Sequence, residues 1–172
     1  MLSSALSGVA GVYFVAAEMS RLGLIALVTV RNTKGVDILA SSDDAQRFVG
    51  VEVKTVQGSR TEWLISKGVE ELKDAANRVF VFVALNERGS PSYYIVPGHD
   101  VAVYAMTSHQ KWLAGAAAGR ERADGSMRKF RIERPEKYHN KWELLGLGSG
   151  ALAPSTTADL TPVAADEAAT VL

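Results

Sequence analysis

Two short segments, Gly35-Val36-Asp37-Ile38-Leu39-Ala40 and Gly50-Val51-Glu52-Val53-Lys54-Thr55, decide how this chain is read. Both are rich in β-branched and aliphatic residues, which suit a pleated strand. Alternation along the second segment puts Val51 and Val53 on one side and Glu52 and Lys54 on the other. An acid and a base therefore stand side by side. In the first segment Asp37 is a lone carboxylate within an apolar run. Burying it without a partner is costly, and a divalent cation shared by two carboxylates is one suitable partner. Asp37, Glu52 and Lys54 thus form a candidate cluster, with 14 residues between the two acids, a separation that suits a hairpin.

Outward from these segments, the turn-forming sets Asn32-Thr33-Lys34-Gly35 and Ser42-Asp43-Asp44 separate strands predicted over 24–31, 36–41 and 48–56. Three consecutive strands with tight turns make an antiparallel meander. Before them, Leu6, Ala10, Tyr13, Phe14 and Ala17 recur at three- and four-residue steps and predict a helix over 4–22, with Gly23 placed to end it. After the meander come a short extended piece at 63–66, a short helix over 69–76, strands over 78–85 and 93–96, and helices over 99–113 and 138–145. The order implies an α+β or α/β sandwich built on one mixed sheet.

The chain has 172 residues with 19 basic and 19 acidic side chains, and no cysteine. That length fits one globular domain, expected over 1–147, with a core at about 4–97 and a basic extension at about 98–147. Disulfides, zinc-thiolate sites and cysteine nucleophiles are excluded, and a cytoplasmic location is the expectation. Residues 148–172 contain Asp159, Asp166 and Glu167 but no Lys, Arg or aromatic ring, and are expected to be a disordered acidic tail. The apolar stretch 6–17 lacks the basic n-region of a signal peptide and is too short to span a bilayer, so no membrane association is expected. No G-x-S-x-G elbow is present, and His99, His109 and His139 have no zinc-site spacing.

By the helical period Glu18 falls between Phe14 and Leu22. It either supplies a third carboxylate or pairs with Arg21 or Arg31. Oxygen donors of this kind suit Mg²⁺, with Mn²⁺ as a substitute, and Lys54 is placed to hold a nucleophile or developing charge. The set suits metal-assisted hydrolysis of a phosphodiester bond.

The pattern of Glu18, then Asp37 in Gly35-Val36-Asp37-Ile38-Leu39-Ala40, then Val51-Glu52-Val53-Lys54, resembles the PD-(D/E)XK nuclease superfamily, and in particular Holliday-junction resolvases and small bacterial endonuclease domains of that type. Val36 stands where the superfamily's name has proline. The resemblance implies a restriction-endonuclease-like αβββαβ core, a central mixed sheet flanked by helices with a C-terminal helical extension. It further implies a Mg²⁺-dependent DNA endonuclease in which Asp37, Glu52 and Glu18 bind metal and Lys54 positions water, and, by analogy with the resolvases, a homodimer. Gln57 resembles a glutamine of some exonuclease branches, but the tyrosine those branches place four residues later is Thr61 here.

For DNA contact the candidates are Arg31, Lys34 and Gln57 near the acidic strands, and Arg128, Lys129 and Arg131 in a segment, 120–143, that carries eight basic against five acidic residues. Cations can follow a phosphate backbone while Trp112, Tyr138 and Trp142 stack on bases. The same segment also reads as a solvated loop followed by a packed helix. A non-catalytic DNA-binding module and a structural domain whose acids only form ion pairs are the alternatives.

Overall fold

The computed structural model describes residues 2–30, 35–71, 75–87, 89–116 and 121–148. The expected tail, apart from Gly148, lies outside the described residues, as do Arg31, Lys34 and Arg120. The chain begins with α1 (Ser4–Arg21), capped by the Ser3 side chain accepting from the Leu6 N–H. Strands β1 (Ile25–Val28), β2 (Ile38–Ser41) and β3 (Phe48–Gln57) follow as the expected antiparallel meander. The chain then leaves the sheet through β4 (Glu62–Ser66) and two 3₁₀ turns, Lys67–Glu71 and Ala75–Asn77. It returns as β5 (Arg78–Leu85), parallel to β3, and β6 (Ser92–Pro97), antiparallel to β5. The result is a mixed five-stranded sheet in the order β1-β2-β3-β5-β6.

Alternation along the strands divides the core into two layers. On one face Ile38 and Ala40, Val49, Val51 and Val53, and Val79, Val81 and Val83 pack beneath Val15 and Met19 of α1. Gly11 lets the helix approach, because a Cβ there would collide with the Thr55 side chain of β3. On the other face Phe80, Phe82 and Val96 pack against Trp63 and Ile65 of β4 and against Val101 and Ala105 of α2 (Gly98–Ala114). Among the described residues no helix is long and apolar enough to cross a membrane.

Three expectations are revised. The helix expected over 69–76 is replaced by the two 3₁₀ turns, since the short run has Val69 as its buried anchor and a single anchor favours short 3₁₀ pieces over a cooperative α-helix. The helix expected over 138–145 is split into α3 (Pro135–Tyr138) and a 3₁₀ turn (Trp142–Leu145). Between them Asn140 takes φ 54° and gives its N–H to the Tyr93 carbonyl, so a contact with β6 interrupts the helix. The C-terminal extension is also not wholly helical. Residues Met127–Arg131 form β7, which pairs antiparallel with β4 in a separate two-stranded sheet and stacks Phe130 on Phe82 at 4.4 Å.

Candidate functional site

The face of β3 opposite α1 carries Glu52 and Lys54. Their side chains meet, with Lys54 Nζ 2.7 Å from Glu52 Oε1, and the pair is only partly screened from water at 17% and 30% side-chain exposure. Asp37 stands just before β2, and its backbone is fixed on both sides. Its N–H donates to the Val51 carbonyl and its own carbonyl accepts from Thr29 N–H. The Asp37 carboxylate accepts the N–H of Val53 at 2.7 Å, so it lies at the edge of β3 beside the residue between Glu52 and Lys54. Asp37, Glu52 and Lys54 are therefore brought together as expected.

Arg78 is a member of this group that the sequence reading missed. It opens β5, where the parallel register sets it beside Gly50, two residues before Glu52. Its guanidinium donates to the Gly35 carbonyl and lies 4.0 Å from Glu52 Oε2, with the side chain 10% exposed. Gly35 has φ 68°, a conformation that favours glycine, and a Cβ there would strike the guanidinium. Arg78 thus ties the segment leading into Asp37 to the carboxylate of Glu52. A basic residue opening an apolar strand was the available signal, but the partner it reaches depends on a pairing between strands that are distant in sequence.

Other expected members are elsewhere. Glu18 does not join Asp37 and Glu52, because α1 covers the opposite face of the sheet. Its carboxylate takes two hydrogen bonds from Arg21, at 2.7 and 3.0 Å, and these hold its pKa below the ordinary value. It lines a cleft of about 750 Å³ with Tyr93, Asn140 and Trp142. Gln57 is likewise removed, since its amide both donates to and accepts from the Leu2 backbone at 2.7 Å and so fastens the start of the chain to the end of β3.

Arg128 is corrected as a DNA contact. At 3% exposure it is buried, with its guanidinium bonded to Glu70, to Asp124 and to the Gly125 carbonyl. Strand alternation turns it inward, and burying a guanidinium requires this set of acceptors. Lys67, His109 and Arg128 all donate to Asp124 and hold its carboxyl far below the usual carboxylate range. Lys129 and Arg131, by contrast, are 72% and 62% exposed and share Glu62, whose pKa they lower, with Arg131 the larger cause.

Two carboxylates with an adjacent ammonium and guanidinium form a set of hard oxygen donors. Mg²⁺ keeps several waters and is commonly held by one or two carboxylates together with substrate phosphates, so Asp37 and Glu52 fit it chemically. Among the described residues no group of three His, Cys, Asp or Glu is gathered for a metal. Glu52 already has cations on both oxygens, so any metal competes with Lys54 and Arg78.

No protein-family model matches the chain, and no curated protein sequence matches it significantly. Solved structures do resemble it. The Holliday junction resolvase Hjc of Archaeoglobus fulgidus is 16% identical, with a TM-score of 0.43, over 72% of this chain and 83% of the resolvase. The bacterial homing endonuclease I-Ssp6803I is 17% identical, with a TM-score of 0.47, over 84% of this chain and 92% of the endonuclease.

Proposed function

We propose that this chain is a metal-dependent nuclease that hydrolyses DNA phosphodiester bonds. The observation that carries the reading is the convergence of Asp37, Glu52 and Lys54 at one place on β3. Asp37 and Glu52 are the residues that would hold Mg²⁺ or Mn²⁺. When bound, such a cation supplies Lewis acidity toward water and phosphate. Lys54 donates toward the attacking water or a phosphate oxygen and offsets the negative charge that builds in the transition state. Arg78 keeps Glu52 and the Gly35 segment in place. Lys129 and Arg131, both largely exposed, are accessible to a phosphate backbone.

The test is calorimetric titration of Mn²⁺ into the wild-type chain and into Asp37→Ala/Glu52→Ala, with supercoiled, linear and branched DNA then incubated with each. The reading requires binding and metal-dependent cleavage by the wild type and loss of both in the variant. A folded wild type that binds no metal and cuts none of these substrates refutes it. The ion pairs on Glu52 favour one second reading, a DNA-binding module without turnover, in which DNA is retained in a salt-dependent manner and stays intact when Mn²⁺ is added.

A further inference from the structure

The helix α1 is apolar on the face that packs on the sheet and also on the face turned away from it. Ser7, Gly11, Val15 and Met19, at steps of four, are buried. On the opposite side Leu2, Leu6, Val9 and Tyr13 are 48%, 58%, 47% and 63% exposed, with Phe14 beside them at 44%. A surface helix normally turns charged residues to solvent there. In α1 no charged residue occurs before Glu18, and Glu18 and Arg21 pair with each other at 2.7 Å.

We infer that this stripe is a self-association surface and that its occupant is α1 of a second copy of the chain. The steps from Leu2 to Leu6, Val9 and Tyr13 are four, three and four, the spacing of a coiled-coil seam, whose complement is another helix with a similar stripe. A two-fold axis through α1 supplies that complement from the same sequence, and no like charges oppose each other along the stripe. Membrane-surface helices carry Lys and Arg on the polar face, and none lies within the charge-free part of α1.

Area decides the strength. Five half-exposed side chains of this size present on the order of 500 Å² per copy, so pairing removes roughly 1,000 Å², near the lower bound for a specific interface. The dimer therefore forms at micromolar rather than nanomolar concentration. Because α1 covers the sheet face opposite Glu52 and Lys54, the two candidate sites face outward and away from the shared interface. The inference does not depend on the nuclease reading.

The test is sedimentation velocity of the full chain over a concentration series, beside Leu6→Glu/Tyr13→Glu and a control, Leu64→Glu. Leu64 is as exposed as Leu6, at 58%, but lies on β4 on the other side of the molecule. The expected result is a concentration-dependent dimer for the wild type and for Leu64→Glu, and a monomer for the α1 variant, with circular dichroism confirming that all three are folded. A wild type that stays monomeric at several hundred micromolar overturns the inference, as does a dimer that survives Leu6→Glu/Tyr13→Glu. Co-sedimentation of a monomeric wild type with phosphatidylcholine vesicles would overturn it in favour of a lipid surface.

Discussion

Replacing Arg78 by Met keeps the length and apolar stem of the side chain but removes its charge and its donors. Two contacts are lost at once, the hydrogen bond to the Gly35 carbonyl and the 4.0 Å approach to Glu52. A hydrogen bond involving a charged group contributes about 1.5–3 kcal/mol, more than a neutral one, and removing the donor also leaves a carbonyl that must find another partner. The gross Coulomb attraction to Glu52 is about 4 kcal/mol at an effective dielectric constant near 20, but Lys54 still neutralises Glu52 in the variant and most of that attraction is not missed. The net expectation for Arg78→Met is a loss of about 2–3 kcal/mol in urea unfolding at neutral pH with an unchanged m-value.

Arg78→Lys should recover part of the loss, since it restores a point charge but not the guanidinium fork. Hydrogen exchange adds a local readout. The Val53 N–H is held by the Asp37 carboxylate and the Asp37 N–H by the Val51 carbonyl, so both amides should lose protection in Arg78→Met by more than the amides of β6. A Met variant within about 0.5 kcal/mol of wild type, the range of ordinary surface substitutions, or unaltered exchange at Asp37 and Val53, refutes the assignment of Arg78 as the tie between them.

Other substitutions test the packing and the charges. Gly11→Ala gains about 1 kcal/mol of helix propensity but forces a methyl into Thr55, an overpacking that costs about 1–3 kcal/mol, so the variant should be less stable by about 1 kcal/mol. Thr55 Oγ1 is buried with no hydrogen-bond partner among the described residues, so Thr55→Ala should relieve the clash, and a double-mutant cycle with no coupling would show that the helix does not touch β3 there. Asp124 has its carboxyl pKa lowered chiefly by hydrogen bonds from Lys67 and His109, so its stabilising contribution is present above its unfolded pKa of about 3.9 and is lost as pH falls below that value. Asp124→Asn should therefore flatten the acid arm of a stability-against-pH curve, and an arm identical to wild type would assign that arm to other carboxylates.

Much of the architecture was legible in sequence because it is local. The strand phase of Gly50–Thr55, the turn residues on either side and the three- to four-residue period of 4–22 each report on neighbouring residues, and the meander, α1 and the Glu52–Lys54 pair follow from them. β7 was not legible as a strand, because a buried arginine at an inward position breaks the apolar alternation. Only the folded chain supplies Glu70, Asp124 and the Gly125 carbonyl that make Arg128 tolerable there.

The sequence by itself determined the hairpin, its two carboxylates and the lysine, since residues on adjacent strands joined by a short turn have little choice of neighbour. Tertiary structure alone decided that Arg78 joins them and that Glu18 does not. The first depends on a parallel pairing of β3 with β5 across a long connection, and the second on which face of the sheet α1 covers. Local period and turn chemistry encode neither, because both are set by how distant segments bury their apolar faces against one another.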